Sequence, residues 1–254
     1  MRDGDLTVGS RLLGTGAVTG SGGVRRTLPA IDILLVCTAN QCRSPMAEGL
    51  LRTHLAEARI PASVGSAGLL PGGAPAMDHA IAVMAARGVD LSRHRSRTLN
   101  PQIARSTPLV IGMTRQHVRE ACVTYGASIQ RTFTLKELVR RGAKAGPRAA
   151  GETVFGWLAR VGAGRQTADL LGDNPDDDIA DPVGRPRVEY EKTCALLDEL
   201  IVRFVDLLVG ANDPTTPPVG TPAAAIPTAL VDTGEYTPKH FANSYGGRSG
   251  ERGR

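Results

Sequence analysis

The sequence predicts an α/β protein built on a doubly wound, four-stranded parallel sheet with helices on both faces. Short apolar runs alternate along the chain with segments whose apolar residues recur at helical spacing, a pattern typical of parallel strands joined by crossover helices. The first run, residues 31–36, is rich in β-branched residues, as a buried strand would be. The last segment, residues 188–209, repeats apolar residues every three or four positions. One domain, over residues 30–210, accommodates all of these elements.

The elements between these two follow from local signals. A helix over residues 44–58 is predicted because Ser44 is a favoured N-cap and Pro45 suits the first helical position. A helix over 135–141 is predicted from the Thr134–Glu137 pair, which has the spacing of a capping box. The same apolar patterns place further strands at 62–68, 108–112 and 130–133, and further helices at 76–87 and 114–125.

Three further stretches are less regular. Residues 89–100 form a basic connection, and residues 142–172 are rich in Gly, Ala and Arg, with some helical spacing and one packing residue, Trp157. Residues 1–29 lack periodicity and are expected to be a flexible leader. Residues 211–254 are rich in Pro, Thr, Gly and Ala and are expected to be a disordered tail.

Composition narrows the function classes. The formal charge of +5 suits an anionic substrate, but no basic patch is interleaved with aromatic residues, so nucleic-acid binding is not expected. No apolar run approaches the ~20 residues of a membrane span, and the N-terminus lacks the apolar core of a secretory signal. Four cysteines do not make a disulfide framework in a chain of this size. The protein is therefore expected in the reducing cytoplasm.

The loop between the first strand and the first helix is predicted to bind a phosphate-like anion. Backbone N–H groups at a helix N-terminus face inward and hold an oxyanion, and Arg43 adds a planar fork for two of its oxygens. Cys37 lies in the same positive field, which favours the nucleophilic thiolate, and the Ser44 hydroxyl can donate to it. The anion-binding residues are expected to be Thr38, Ala39, Asn40, Gln41, Cys42, Arg43 and Ser44.

Two other roles are open to Cys37. It could be a structural cysteine at a strand end, or a zinc ligand. Zinc is disfavoured because no second Cys/His pair has ligand spacing. No metal or other cofactor is expected. Cys42 offers a second thiol within reach of Cys37.

The pattern Cys-x-x-Asn-x-Cys-Arg-Ser-Pro-x-Ala-Glu, from Cys37 to Glu48, resembles the low-molecular-weight protein-tyrosine phosphatase family. This superfamily also includes arsenate reductases and bacterial arginine phosphatases. The chain departs from the family at Ala39, where Gly is usual, and would be strained there if the position needs a positive φ. The resemblance implies catalytic roles for Cys37 and Arg43, and a mechanism through a phosphocysteine intermediate.

The resemblance also implies a general acid. A phosphocysteine mechanism needs one carboxyl to protonate the leaving group and then to activate water. Asp181-Pro182, before the last helix, matches the family's Asp-Pro-Tyr loop, so that role is carried to Asp181. The alternatives are a turn or capping Asp and a solvated acidic run, to which Asp173, Asp176, Asp177 and Asp178 are assigned. Val183 replaces the family aromatic, which removes one wall of an aryl slot.

Supporting residues are implied in the same way. Ser66 and His94 match family positions that brace Asn40 and Ser44, although His94 alone could equally be an exposed histidine in a basic turn. The other histidines, His54, His79 and His117, carry no such match and are expected at the surface. Cys122 and Cys194 lie on apolar helix faces and are expected in the core.

The leading functional prediction is a cysteine-dependent phosphomonoester hydrolase, a low-molecular-weight protein-tyrosine phosphatase acting on a phosphorylated protein or a small phosphoester. Two alternatives keep the fold and change the substrate: a thiol-dependent arsenate reductase, which would need an external thiol, and a protein-arginine phosphatase. Gln41 does not decide among them. An alternative of another class is an inactive phosphate-binding regulator. The sequence does not indicate an oligomeric state.

Overall fold

The computed structural model describes residues 31–172 and 174–210. The predicted leader and tail, and Asp173, lie outside the described residues. The four strands are β1 (Ile31–Cys37), β2 (Ala62–Gly68), β3 (Leu109–Gly112) and β4 (Thr132–Thr134). The seven α-helices of this part of the chain are α1 (Arg43–Glu57), α2 (Asp78–Ala85), α3 (Pro101–Ser106), α4 (Arg115–Val123), α5 (Leu135–Ala145), α6 (Val154–Gly162) and α7 (Arg187–Val209).

The sheet is the predicted one: four strands in the order β2-β1-β3-β4, all parallel. β1 is central and is buried at every position except Asp32, as expected for a strand covered by helices on both sides. The chain leaves β1 towards β2 on one side and later returns to β3 on the other. The strand order therefore reverses between β1 and β3, and such a switch point leaves a crevice beyond the carboxyl ends of the two strands.

Helices cover both faces. On one face the large apolar core packs β1 and β3 against α1, α5 and α7, and on the other a smaller cluster packs them against α3 and α4. The apolar positions predicted for the last helix, Cys194, Leu197, Ile201, Phe204, Val205 and Leu208, are all buried. Trp157 is fully buried and stacks near Phe204, with ring centroids 6.2 Å apart. This contact joins the weakly predicted segment 142–172 to the core through α6.

Some elements differ from the prediction for local reasons. The short helix α3 was missed, although Asn100 caps it by accepting a hydrogen bond from the Ile103 N–H at 2.9 Å and proline opens it. The fourth strand begins two residues later than expected, because residues 129–131 form a 3₁₀ turn. Thr134 does accept the Glu137 N–H, at 3.0 Å, but the Glu137 carboxylate pairs with buried Arg165.

Candidate active site

The reactive loop lies at the switch point of the sheet. Cys37 is the last residue of β1, and Arg43 is the first residue of α1, so the loop between them runs across the carboxyl end of the central strand. The loop passes close to β2: a Cβ placed on Gly68 would lie 2.8 Å from the Asn40 nitrogen. Only glycine permits this approach.

Two groups of the loop and of α1 contact the Cys37 sulfur. Its Sγ lies 3.0 Å from the Ser44 hydroxyl, and the Asn40 backbone N–H donates to it at 3.2 Å. The thiol is 3% exposed. Asn40 can aim its N–H at the sulfur because its backbone is left-handed, with φ of 54°, a conformation that Asn tolerates better than most residues. Ala39 does not share it, so the strain expected for Ala39 is absent.

Asn40 is the centre of a bracing network behind the loop. Its side-chain Nδ2 donates to Ser44 Oγ at 2.9 Å and to Ser66 Oγ at 2.7 Å, and its Oδ1 accepts the Arg97 N–H at 2.9 Å. Its carbonyl accepts from His94 Nε2 at 2.7 Å. Asn40 is fully buried, and these bonds satisfy its polar atoms. The structure thus places Ser66 and His94 against Asn40, and Ser44 reaches both Asn40 and Cys37.

Glu48 extends this network, although sequence reasoning gave it no role beyond the motif. Ser66 Oγ donates to Glu48 Oε2 at 2.5 Å, and Arg52 Nη2 lies 2.7 Å from Glu48 Oε1. With its proton given to Glu48, the Ser66 hydroxyl oxygen is left to accept from Asn40. The hydrogen bonds of this network therefore run from Asn40 in the loop, through Ser66, to the Glu48 carboxylate.

Arg43 is buried, with 3% exposure, and its guanidinium is fixed from three sides. Its Nη1 donates to the carbonyl of Ile179 at 3.1 Å, and its Nη2 donates to Thr38 Oγ1 at 3.3 Å. Its Nη2 also forms an ion pair with the carboxylate of Asp181. The structure therefore brings Asp181 against Arg43, and Arg43 and Cys37 lie at the two ends of the same loop.

The loop that carries Asp181 is anchored by the residues before it. The N–H of Ile179 donates to the carbonyl of Met113 at 2.8 Å, and Asp178 accepts the N–H of Arg115 at 2.8 Å. Asp177 was predicted to lie on a solvated acidic face, and this is wrong. It is 1% exposed and pairs with Arg140, because a buried carboxylate needs such a partner. Asp176 is exposed, as predicted.

His117 was predicted at the surface, and this is also wrong. Its side chain is 2% exposed, and its Nε2 lies 3.0 Å from the Thr38 hydroxyl of the reactive loop. His54 is only half-buried, and its Nε2 lies 2.7 Å from Asp198 on α7. His79 is exposed as expected. No short sequence pattern marks His117, since its partner in the loop is 79 residues away.

The remaining thiols differ from Cys37. Burial, followed by the charges of Asp181 and Cys37, raises the pKa of Cys42 far above its ordinary value, so this thiol stays protonated. Cys194 is buried as predicted, and half-buried Cys122 packs against the smaller core cluster. Among the described residues all four cysteines are free thiols.

Val183 and Gln41 belong to the two loops that carry the candidate site residues. Val183, two residues after Asp181, is 44% exposed, and Gln41 is half-buried in the reactive loop. Tyr190 on α7 is buried, and burial raises its pKa to about 12, with smaller contributions from Cys42 and Asp181. The described part of the chain contains no helix long and apolar enough to cross a membrane.

Comparison with known proteins gives a consistent result. The model of the low molecular weight phosphotyrosine protein phosphatase family matches residues 32–146, which include the reactive loop and end before Asp181. The protein-arginine-phosphatase of Bacillus subtilis (strain 168) is 37% identical over 111 residues, which are 43% of this chain and 73% of that one. The probable low molecular weight protein-tyrosine-phosphatase EpsP of Ralstonia solanacearum is 37% identical over 107 residues, 42% and 71% of the two chains.

A solved structure agrees with the sequence matches. The crystal structure of a low molecular weight protein tyrosine phosphatase from T. tengcongensis superposes with a TM-score of 0.53 at 29% identity, and covers 69% of this chain and 98% of that one. The parallel sheet and its helices are therefore those of this group of proteins. This chain belongs to the low molecular weight phosphotyrosine protein phosphatase family.

Proposed function

We propose that the protein hydrolyses phosphomonoesters on phosphorylated proteins through a phosphocysteine intermediate, with residues 30–210 as the catalytic unit. The observation that carries the proposal is the placement of Cys37. Its sulfur accepts a hydrogen bond from the Asn40 N–H and lies 3.0 Å from the Ser44 hydroxyl, and the loop ends in a buried arginine that pairs with an acidic side chain. A nucleophile, an oxyanion holder and a proton donor are thereby close together.

In the first step the Cys37 thiolate attacks phosphorus, and the bond from phosphorus to the leaving oxygen breaks. Arg43 and the loop N–H groups hold the equatorial oxygens, while Asp181 in its protonated form gives its proton to the leaving oxygen. These groups supply the positive charge that the transferring phosphoryl group needs, so the proposed mechanism does not require a metal ion.

In the second step the Asp181 carboxylate takes a proton from water, and the water oxygen attacks phosphorus. The phosphorus–sulfur bond breaks, and inorganic phosphate and the Cys37 thiolate are released. The hydroxyl of Ser44, 3.0 Å from the sulfur, stabilises this thiolate as it leaves. Because the cycle needs Cys37 as a free thiol, we place the protein in the cytoplasm.

Phosphotyrosine is the leading substrate, as in the relatives named protein-tyrosine phosphatases. Phosphoarginine is a second candidate, favoured by two observations. The 37% identical Bacillus subtilis relative is a protein-arginine-phosphatase, and Val183 offers no aromatic ring against which a phenyl group could stack. With phosphoarginine the leaving atom is nitrogen, and Asp181 would protonate it in the same position.

The test is phosphate release from an aryl phosphate in the presence of a chelator, first as a single turnover. Wild type is expected to turn over, Cys37→Ser to fall to background, and Asp181→Asn to slow by about 10²–10⁴-fold. Cys122→Ser and Asp176→Asn serve as matched controls, since both remove the same functional group outside the site. Loss of activity in the controls, or turnover by Cys37→Ser, would contradict the mechanism.

Substrate choice is then measured with matched phosphotyrosine and phosphoarginine peptides. The ratio of their kcat/KM values identifies the physiological class. Arsenate with small thiols forms a third arm: arsenite formation without phosphate release would replace the phosphatase proposal by a reductase. Binding of phosphate with no turnover in any arm would instead indicate a regulator.

A further inference from the structure

The imidazole of His117 is bonded at both ends. Its Nε2 lies 3.0 Å from the hydroxyl of Thr38, and its Nδ1 lies 2.9 Å from the hydroxyl of Thr114, the N-cap of α4. The ring is 2% exposed. A histidine held at both nitrogens by two hydroxyls cannot rotate or shift without leaving a buried polar atom unpaired, which costs free energy.

Thr38 is the group that this ring positions. Its backbone carbonyl already accepts the N–H groups of Leu69 and Leu70, at 2.7 and 3.0 Å, so its main chain is fixed. Its side chain is exposed to solvent and, without a partner, could take several χ1 rotamers. The bond to His117 selects the one in which Oγ1 also accepts from Arg43 Nη2, at 3.3 Å.

The charge of Arg43 also affects the pKa of the His117 ring. Burial, followed by the charge of Arg43, lowers the pKa of His117 to about 3, so the imidazole is neutral at physiological pH. A neutral ring has one nitrogen that accepts, and Thr38 can give that nitrogen its single proton while its oxygen accepts from Arg43. Arg43 then remains the local cation of this part of the loop.

We propose that His117 is a positioning residue for the phosphate-binding arginine: it fixes the Thr38 hydroxyl, which in turn orients the Nη2 side of Arg43. The proposal rests on the proposed function, in which Arg43 holds the phosphoryl oxygens. A histidine that only packs in the core would differ in its effect. Its substitution would lower the fraction of folded protein, but the activity of each folded molecule would stay the same.

Substitution by glutamine or by asparagine separates the two contacts of the His117 ring. His117→Gln places an amide near the former Nε2, where it can reach Thr38, whereas His117→Asn places one near the former Nδ1, where it can reach Thr114. His117→Asn is expected to lower kcat/KM per folded site by about tenfold to a hundredfold and to raise the inhibition constant of inorganic phosphate in step. His117→Gln should stay within about threefold of wild type. His54→Gln is the matched control and should match wild type.

The Thr38→Val variant tests whether His117 acts on Arg43 through the Thr38 hydroxyl. In a Thr38→Val background, His117→Asn should cause little further loss, because the bond that it breaks is already absent. Equal kcat/KM values for wild type, Gln and Asn proteins, or fully additive losses, would overturn the inference. If the Asn variant does not fold, His117→Leu, which removes the contact to Thr38 at similar side-chain size, replaces it in both the wild-type and the Thr38→Val background. Wild-type protein without phosphatase activity would instead count against the proposed function itself.

Discussion

The buried neutral state of His117 has a consequence for stability in acid. In the unfolded chain a histidine has a pKa of about 6.5, whereas burial and the charge of Arg43 lower the pKa of His117 in the folded protein to about 3. Below pH 6.5 the unfolded state therefore binds a proton that the folded state refuses. The stabilising effect of the neutral ring is complete above pH 6.5 and is lost as the pH falls from there towards 3.

The magnitude follows from linkage. One histidine that titrates only in the unfolded state removes about 1.4 kcal/mol of unfolding free energy at pH 5.5, and about 2.7 kcal/mol at pH 4.5, relative to neutral pH. Glutamine does not titrate. The wild type should therefore lose about 1.4 kcal/mol more than His117→Gln between pH 7.5 and pH 5.5, whatever the stability of the variant at pH 7.5.

The assay is urea unfolding at a series of pH values, with the free energy extrapolated to water for both proteins. The difference between their pH dependences isolates His117, because every other titrating group is common to both. Equal slopes for wild type and His117→Gln would show that the buried ring accepts a proton at ordinary histidine values, and would refute the reasoning.

Three further predictions concern separate parts of the structure. Asp181→Asn leaves the face of Arg43 free of its ion pair, so inorganic phosphate should inhibit it about threefold to tenfold more strongly than wild type; weaker inhibition would contradict the resting contact. The bond to Asp198 raises the pKa of His54, so Asp198→Asn should cost about 1–2 kcal/mol more below pH 6.5 than above the pKa of His54. The lost pair with Arg87 adds a cost that is the same at every pH; a total cost in urea unfolding that does not change with pH would contradict the prediction. An added Cβ in Gly162→Ala would lie 2.2 Å from a backbone carbonyl oxygen of the neighbouring 3₁₀ turn, so this variant should lose about 1–3 kcal/mol, and an unchanged urea midpoint would contradict the clash.

The reactive loop could be predicted from the sequence because its parts are contiguous. A strand, a loop and a helix start follow one another over residues 31–45, and the chemistry of that unit depends on short-range geometry. The left-handed backbone of Asn40 falls within the same stretch. The predicted sheet is confirmed for the same reason, since each strand and its following helix carry their own periodic signal.

The contacts that could not be predicted from the sequence join residues that are far apart in the chain. Asp177 is acidic and stands among other acids, yet it is buried because Arg140 on α5 reaches it. Glu137 was expected to complete a capping box, yet its carboxylate pairs with Arg165, 28 residues away. A composition-based rule assigns charged residues to the surface, and only the tertiary fold supplies the partner that overrules it.

The first turn of α4 and the two residues before it contact both the reactive loop and the loop that carries Asp181. The carbonyl of Met113 holds Ile179, and Arg115 holds Asp178, while His117 holds Thr38. The two neutral partners of Arg43, the Ile179 carbonyl and the Thr38 hydroxyl, therefore belong to loops that this segment holds.

In the proposed mechanism, this arrangement would let Asp181 pair with Arg43 and then act on the substrate. The bonds of Arg43 to the Ile179 carbonyl and to Thr38 do not involve the carboxylate. A phosphoryl group that displaces Asp181 therefore finds the guanidinium already oriented, and the ordering of that side chain is not part of the free energy of binding. The displaced carboxyl remains on a loop whose preceding residues stay anchored, close to the bond that it must protonate. The proposed mechanism therefore tolerates the contact between Asp181 and Arg43, since the arginine has two partners that do not depend on it.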